Sequence, residues 1–378
     1  MSDTPPRKAF AEVPARVLAA ELDLASAWER VQSKAGMAGS DGVSVARFAR
    51  GAKAFLRDLE NRLAANSYRA LPLRVAEVPK KSGARRLLLV PAVRDRVVQS
   101  AAAQWLSARW NPEFDPASYA YRPGLGVADA LRALAELRAA GFHWVLDADI
   151  RSFFDSIDHD LLLAKLARWL GRHSPLYGWL EQWIRAAVWD GAELSRLGRG
   201  VPQGSPLSPV LANYYLDAFD RRLRAAGVPL IRYADDFLVL ARTPFELAEH
   251  RRTVENALAD LKLQLSQEKT RTVTFEPGFR FLGAEIQGEA ILLPFEKPKQ
   301  PKKALWVAPP MPPALLRAFC EGHLTPRRKF EWRDRSAAPH AEPPKTGAAP
   351  ESADRSVRLR RLLAGSAEPS LKSLRRAV

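Results

Sequence analysis

Residues 231–240 have the sequence IRYADDFLVL, in which two adjacent carboxylates interrupt apolar residues. Val, Ile, Leu and Phe favour a half-buried β-strand. Ionised Asp235 and Asp236 are tolerated within such a strand mainly where a positive charge neutralises them. A divalent metal ion is the natural candidate for that charge. This stretch therefore predicts a sheet that carries a metal-binding edge.

A second stretch has the same character. Residues 144–150, WVLDADI, place Asp147 and Asp149 on an apolar strand. Carboxylates from two neighbouring strands, Asp149 and Asp235, would form an oxygen-only site. Mg²⁺ prefers such a site and keeps waters and substrate phosphates as its other ligands.

Composition narrows the possible partners. The 378 residues carry a formal net charge of +16 and 26% charged side chains, which indicates a polyanionic partner or, alternatively, a membrane surface. No apolar run is long enough to span a bilayer and the N-terminus lacks the apolar segment of a signal peptide, so we expect a cytoplasmic protein with no membrane partner. The single cysteine excludes an internal disulfide, and the six His residues lack zinc-ligand spacing.

The order of predicted elements indicates the fold. Residues 43–65 predict a helix, residues 73–90 a hairpin with a basic tip, and residues 175–188 another helix. Between residues 144 and 275 the order is β, α, ββ, α, β. This is the split βαβ arrangement, with the first strand beside the hairpin in one antiparallel sheet and helices on one face. Asp149 and Asp235 would then lie at one edge of that sheet.

Two loops complete the candidate site. Residues 198–209, GRGVPQGSPLSP, place Gln203 and the flexible backbone of Gly204 before a helix. Residues 114–126 hold Tyr121 and Arg122 in a Pro- and Gly-rich loop, where such side chains either stack on bases or only pack the loop. Acidic strands, a basic hairpin and a Gly-rich loop together fit metal-assisted nucleotidyl transfer with two Mg²⁺ ions.

These motifs resemble those of bacterial reverse transcriptases of the group II intron type, across residues 41–286. Seven blocks follow one another in that family's order. They are VPKKSGARRLLLVPAVRDRVVQ, SYAYRPG, DADIRSFFDSID, GVPQGSPLSPVLANYYL, RYADDFLVLA, LSQEKT and FRFLGAEI. One YADD alone is a weak signal, but seven ordered blocks are specific.

The resemblance implies an α+β, right-hand polymerase fold with fingers, a ferredoxin-like split βαβ palm and a short helical thumb. The expected boundaries are a loosely ordered leader (1–23), fingers (24–143 with part of 160–205), palm (144–293), thumb or linker (294–335) and a basic, partly disordered tail (336–378). Mg²⁺, with Mn²⁺ as a substitute, would be the cofactor. The partners would be an RNA template, a DNA or RNA primer, and dNTPs.

The resemblance also implies roles for individual residues. Three carboxylates would be both catalytic and metal-binding: Asp149, Asp235 and Asp236. Six residues would bind the nucleotide. Phe154 would screen the sugar 2′ position, Lys80 and Arg86 would contact the triphosphate, Gln203 and Gly204 would form the pocket loop, and Lys269 would donate a proton to pyrophosphate. For Lys269, a solvated turn is an equal alternative.

The biological role stays open between two branches. Residues 290–313 are similar to the segment that follows the palm in reverse transcriptases of CRISPR adaptation modules, which implies spacer acquisition from RNA and an integrase partner. The other branch is a group II intron reverse transcriptase or maturase. A non-catalytic RNA-binding scaffold and untemplated nucleotide addition are the remaining alternatives.

Overall fold

The computed structural model describes residues 13–79, 85–292, 304–326 and 328–331. Runs of helices and runs of mainly antiparallel strands follow one another along the chain, so the fold is α+β. The helices are α1 (Ala15–Glu21), α2 (Leu24–Ser33), α3 (Val45–Arg50), α4 (Ala52–Ala64), α5 (Val93–Trp110), α6 (Val127–Ala139), α7 (Phe153–Ser156), α8 (His159–Leu170), α9 (Pro175–Ile184), α10 (Ser208–Ala225), α11 (Pro244–Asp260) and α12 (Pro313–Cys320). The strands are β1 (Leu73–Pro79), β2 (Arg85–Val90), β3 (Trp144–Asp149), β4 (Ala187–Trp189), β5 (Leu194–Leu197), β6 (Leu230–Tyr233), β7 (Asp236–Ala241), β8 (Arg271–Thr274), β9 (Phe279–Phe281), β10 (Ala284–Gln287), β11 (Ala290–Leu292), β12 (Trp306–Val307) and β13 (Arg328–Phe330).

The predicted split βαβ sheet is confirmed. Its four strands lie in the order β6-β7-β3-β8, and every neighbouring pair is antiparallel. Strand β3 is therefore central, with the β6–β7 hairpin on one side. The register places Asp149 directly opposite Asp236. Because directly opposed residues project to the same face of a sheet, the two carboxylates share one face.

Both faces of this sheet are covered, and the expectation of helices on one face is wrong. Leu146 and Val239 pack into the large core on one face, whereas Val145 and Leu238 pack on the other face with α6 and the β9–β10 hairpin. The physical reason is that the side chains on both faces of β3 and β7 are apolar, so each face of the sheet must be buried.

A second, six-stranded sheet surrounds the predicted basic hairpin. Strand β2 pairs along β1, β4 and β12 also pair with β1, and β5 carries β13 at the far edge. The hairpin prediction for residues 73–90 is confirmed, although its tip, residues 80–84, lies outside the described residues. Described residues from the predicted thumb region therefore contribute two strands here as well as helix α12. The boundaries of fingers, palm and thumb stay a prediction.

Three local expectations need correction. The predicted leader contains helix α1, where Leu18 is buried, because two turns of apolar spacing suffice once a neighbouring core is present. The helix expected at 175–188 ends at Ile184, and Ala187 begins β4 instead. The helix expected at 43–65 is interrupted at Gly51, where the chain loses helix propensity.

Candidate active site

The predicted catalytic aspartates Asp235 and Asp236 lie at a two-residue hairpin turn between β6 and β7. Tyr233 pairs with Asp236, which leaves Ala234 and Asp235 at the tip. Ala234 adopts φ +63°, in the left-handed region that favours glycine. A positive φ at the first central residue is typical of the tight hairpin turns that match strand twist. The turn thereby presents the Asp235 side chain at the end of the sheet.

Strand β3 brings Asp149 to this turn. The backbone N–H of Ile150 donates to the Asp235 carbonyl at 3.1 Å, so the end of β3 is bonded to the hairpin tip. The backbone N–H of Ser266 donates to the Asp149 carbonyl at 2.8 Å. This second contact carries the following segment to the same place, where the Lys269 Nζ donates to Asp149 Oδ2 at 2.8 Å. Lys269 is therefore next to a predicted catalytic carboxylate, although it is itself exposed.

Electrostatics at this edge are dominated by crowded carboxylates. Burial raises the pKa of Asp235, and the nearby Asp149 carboxylate raises it further, whereas Lys269 and Arg86 lower it. Burial also raises the pKa of Asp236 to about 7, with Asp147 and Asp149 adding to the effect. A pKa is raised when the charged form is disfavoured, so this cluster would gain from an added cation.

The donor set fits a hard divalent cation. All the candidate ligands are carboxylate oxygens, which suit Mg²⁺ and Mn²⁺. Among the residues that the structure describes, no three His, Cys, Asp or Glu side chains converge as a ready metal-binding group. One or two carboxylates are nevertheless what Mg²⁺ ordinarily takes from a protein, with waters and phosphates supplying the remainder. The three-aspartate metal site stays a prediction.

The predicted nucleotide pocket is built by α7 and the loop before α10. The N–H of Val201 donates to the Phe154 carbonyl at 2.7 Å, and the Gln203 amide donates to Asp155 Oδ1 at 2.8 Å. Gly200 permits this approach, since an added Cβ would lie 2.8 Å from the Phe154 carbonyl oxygen at a φ of +81°. These contacts place the Phe154 backbone beside the loop that carries Gln203, and the roles of both residues in a nucleotide pocket stay a prediction.

Of the other predicted nucleotide contacts, Arg86 lies on β2 of the six-stranded sheet and Gly204 lies beside that strand. Gly204 has φ +135°, and an added Cβ would lie 3.2 Å from the Leu89 carbonyl oxygen of β2. Arg86 is exposed on the same strand and lies close enough to Asp235 to lower its pKa. Lys80 lies outside the described residues, so its predicted role stays untested.

A buried arginine that the sequence reasoning missed holds the hairpin. Arg232 and Asp220 are each 1% exposed and form a two-bonded ion pair at 2.5 and 2.6 Å. The Arg232 guanidinium also donates to the Ala234 carbonyl, to Asn213 Oδ1 and to Ser118 Oγ. The signal was available, because a charge within an apolar strand needs a partner, and Arg232 meets that description as fully as the aspartates.

The loop at residues 114–126 is fixed by its arginine. Arg122 donates to the backbone carbonyls of Asn111, Asp115 and Ser118 and to the Asn111 side chain, so it packs the loop instead of stacking on a base. Tyr121 is 50% exposed with φ +58°. Burial and the Asp235 carboxylate raise its pKa, which places it beside the hairpin tip.

A further buried residue supports the pocket loop. His159 Nε2 lies 2.7 Å from the Gly200 carbonyl oxygen, and the side chain is 2% exposed. Burial lowers the pKa of His159, so the neutral ring donates to that carbonyl. A lone histidine at a helix start carries no sequence signal for this contact, and the sequence reasoning missed it.

Comparison with known proteins agrees with this geometry. Protein YkfC of Escherichia coli strain K12 is 29% identical over 287 residues, which cover 66% of this chain and 75% of that protein. The group II intron-encoded protein LtrA of Lactococcus lactis subsp. cremoris is 28% identical over 156 residues, which cover 41% of this chain and 26% of LtrA. The chain therefore spans about a quarter of that relative.

Solved structures show more distant similarity. A chain of a partial Cas6-RT-Cas1–Cas2 complex is 27% identical with a TM-score of 0.39, over 63% of this chain and 40% of that chain. A telomerase from Candida albicans is 15% identical with a TM-score of 0.49, over 66% of this chain and 50% of that one. In the described ranges, no helix has the length and apolar character needed to cross a membrane.

A family match covers the site itself. Residues 78–286, more than half of the chain, match the family described as "Reverse transcriptase (RNA-dependent DNA polymerase)". That range contains the β3 strand, the β6–β7 hairpin and the pocket loop. The chain belongs to the reverse transcriptase family.

Proposed function

We propose that this protein copies RNA into DNA by adding dNTPs to the 3′-hydroxyl of a DNA or RNA primer. The observation that carries the proposal is the joining of Asp149 and Asp235 at one sheet edge, where the Asp149 carboxylate raises the pKa of Asp235. A hydrogen bond from the adjacent backbone fixes the two strands to each other. Such a pair of carboxylates is suited to nucleotidyl transfer.

Asp149 and Asp235 would hold the divalent cations, with Asp236 as a third ligand. Two Mg²⁺ ions, for which Mn²⁺ would substitute, would lower the pKa of the attacking hydroxyl and neutralise the leaving pyrophosphate. The raised pKa of Asp236 is consistent with a carboxylate that ionises fully only when a cation is nearby.

The surrounding side chains would bind and orient the nucleotide. Arg86 would contact the triphosphate, since a guanidinium matches phosphate geometry. The Phe154 side chain would form a wall of the pocket and leave no room for the 2′-hydroxyl of a ribonucleotide. The Gln203 amide is already oriented by Asp155, so the pocket loop would be preorganised.

Lys269 would hold a proton near the leaving group. Its Nζ donates to Asp149 Oδ2, and this contact favours a role in the site over a solvated turn. From this position the ammonium group would donate a proton to pyrophosphate as it leaves.

Primer extension tests the proposal. The full chain is given poly(rA)/oligo(dT), Mg²⁺ and dTTP, and we expect template-dependent extension. Omission of the template separates untemplated addition. Asp235→Asn should abolish extension while affinity for the primer–template stays nearly unchanged, because the basic surface is intact. Wild-type extension by D235N would refute the assignment of this carboxylate.

We also propose a role in CRISPR spacer acquisition from RNA, with an adaptation integrase as partner. The support is the similarity of residues 290–313 to the corresponding segment of reverse transcriptases from CRISPR adaptation modules. The alternative is retromobility of a group II intron. The gene neighbourhood distinguishes them, because a CRISPR array with an integrase gene supports the first role and a surrounding intron RNA supports the second.

A further inference from the structure

The far edge of the six-stranded sheet carries an unusual strand pairing. Strand β13 pairs in parallel with β5, and the register sets Lys329 directly opposite Arg196. Both side chains are exposed, and neither forms an ion pair with a described residue. Like charges placed directly opposite on neighbouring strands are destabilising. The central pair of this three-residue pairing is therefore repulsive. Its presence in the strand has to be explained by stabilising contacts elsewhere or by a function of the two charges.

Apolar anchors hold this strand despite the repulsion. Phe330 lies opposite Leu197 and packs against a hydrophobic cluster that contains Leu197 and Val188. The neighbouring Arg328 is 78% exposed and meets Glu193 only at 3.6 Å. The result is a basic edge made by Arg196, Arg328 and Lys329, which we call the β5–β13 edge.

The chain segment from Arg196 to Gln203 connects this edge to the predicted nucleotide pocket. An added Cβ at Gly198 would lie 3.4 Å from Lys329 Cδ, and Arg199 Nε donates to the Asp155 carbonyl at 3.2 Å. Asp155 in turn binds Gln203. The seven Cα–Cα steps from Arg196 to Gln203 span at most about 24 Å when extended.

The proposed function indicates which ligand this edge would meet. The primer strand would end at the 3′-hydroxyl beside the predicted catalytic carboxylates, and the incoming nucleotide would lie next to it at Gln203. Beyond that nucleotide only the template continues, as an unpaired strand. A basic edge past the pocket would therefore meet template phosphates, which Lys and Arg bind by releasing counterions.

We propose that the β5–β13 edge binds the phosphates of the unpaired template RNA ahead of the site of synthesis. This inference rests on the proposed function. It gives residues from beyond the palm a direct part in template binding, since β13 supplies Lys329 and Arg328.

Charged edge strands also prevent aggregation between sheets, and that purpose needs no ligand. Lys329→Glu separates the two explanations, because it keeps an edge charge and sets a carboxylate opposite Arg196. The repulsion in the register pair becomes attraction, so the melting temperature of K329E should equal or exceed that of the wild type. Lys329→Ser is the neutral companion variant. Lys53→Glu is the matched control, an exposed lysine of α4 for which no described residue supplies an ion pair.

The test compares binding of two substrates by the full chain at about 0.1 M salt without dNTPs. One primer–template is blunt and the other carries an RNA template overhang of about eight nucleotides, enough for the span above at about 3.4 Å per nucleotide. The wild type should bind the overhang substrate more tightly. K329E and K329S should lose about fivefold of that preference, and the salt slope should fall by about 0.7, as for one lost single-strand contact. K53E should keep the preference.

Three results would overturn the inference. They are an unchanged overhang preference in K329E and K329S, an equal loss on both substrates, and a wild type without any preference. An unchanged overhang preference in both variants would mean that the β5–β13 edge binds another partner or only protects the strand from aggregation. Because binding is measured without synthesis, failure here is distinct from failure of extension on poly(rA)/oligo(dT), which would overturn the proposed function instead.

Discussion

Replacement of Arg232 by Met should lower the free energy of unfolding by more than most single substitutions do. The side chain is fully buried and donates five hydrogen bonds, two of them to Asp220. R232M leaves the Asp220 carboxylate buried without its counter-charge. Removal of one partner from a buried ion pair costs about 3–5 kcal/mol, and we expect R232M to fall in that range.

Two further variants test whether loss of the buried ion pair causes this decrease in stability. The double variant R232M/D220L removes both charges, so it should recover most of the loss, because an apolar replacement of a buried pair is often neutral. Arg185→Met removes an ion pair of similar length, 2.6 Å to Asp160, and a longer one, 3.6 Å to Glu181, but the three side chains are 38%, 79% and 46% exposed. Exposed pairs contribute about 0–1 kcal/mol, so R185M should change stability by no more than that.

The assay is urea unfolding followed by tryptophan fluorescence, repeated from pH 5 to pH 8. Burial raises the pKa of Asp220, and Arg232 opposes that increase. In R232M the folded state would therefore hold a proton that the unfolded state releases, so stability should fall as pH rises through this range. A loss below about 1 kcal/mol, or a double variant no better than R232M, would refute the reasoning.

Four further substitutions test the pocket and the helices behind it. Phe154→Ala should reduce discrimination against ribonucleotides in single-nucleotide incorporation, and unchanged discrimination would remove Phe154 from the pocket. Gly200→Ala should lower the free energy of unfolding by about 1–3 kcal/mol, because its Cβ would press on Asp155 and Phe154. Gly178→Ala, with open space at the same test and a helical position, should raise it by about 0.5–1 kcal/mol. Burial lowers the pKa of Lys165 from 10.5 to about 8. Between these pH values the unfolded chain therefore binds more protons than the folded chain. The free energy of unfolding of the wild type should then rise with pH in this range, by up to about 3 kcal/mol. Lys165→Met should flatten that slope in unfolding measured at pH 8 and pH 10.

The sheet that carries the site was predictable because its residues obey simple rules. Strands β3 and β7 are apolar and long enough to show strand propensity. An aspartate at the end of each strand marks the edge where we predict a cation. The turn at Ala234 follows from two strands with two residues between them. Sequence could therefore place Asp149 and Asp235 at one edge.

Other parts depend on contacts that no local pattern encodes. Strands β12 and β13 have two and three residues, too few to show a period of two, and they exist because β1 and β5 offer free edges. Strand β4 continues the apolar run of α9, so only its pairing with β1 and β5 separates it from the helix. The partner of Lys269 likewise depends on how residues 265–270 return to β3.

The most direct test of the central claim compares two aspartates on the same strand. Asp149 is predicted to be catalytic, whereas Asp147, two residues earlier, accepts a hydrogen bond from Arg271 at 2.8 Å that an asparagine would preserve. Single-turnover incorporation of dTTP on poly(rA)/oligo(dT) should fall by about a thousandfold or more in D149N, since a metal-binding carboxylate is lost. D147N should stay within about tenfold of the wild type. Comparable rates for D149N and the wild type, or an equal loss in both variants, would contradict the account.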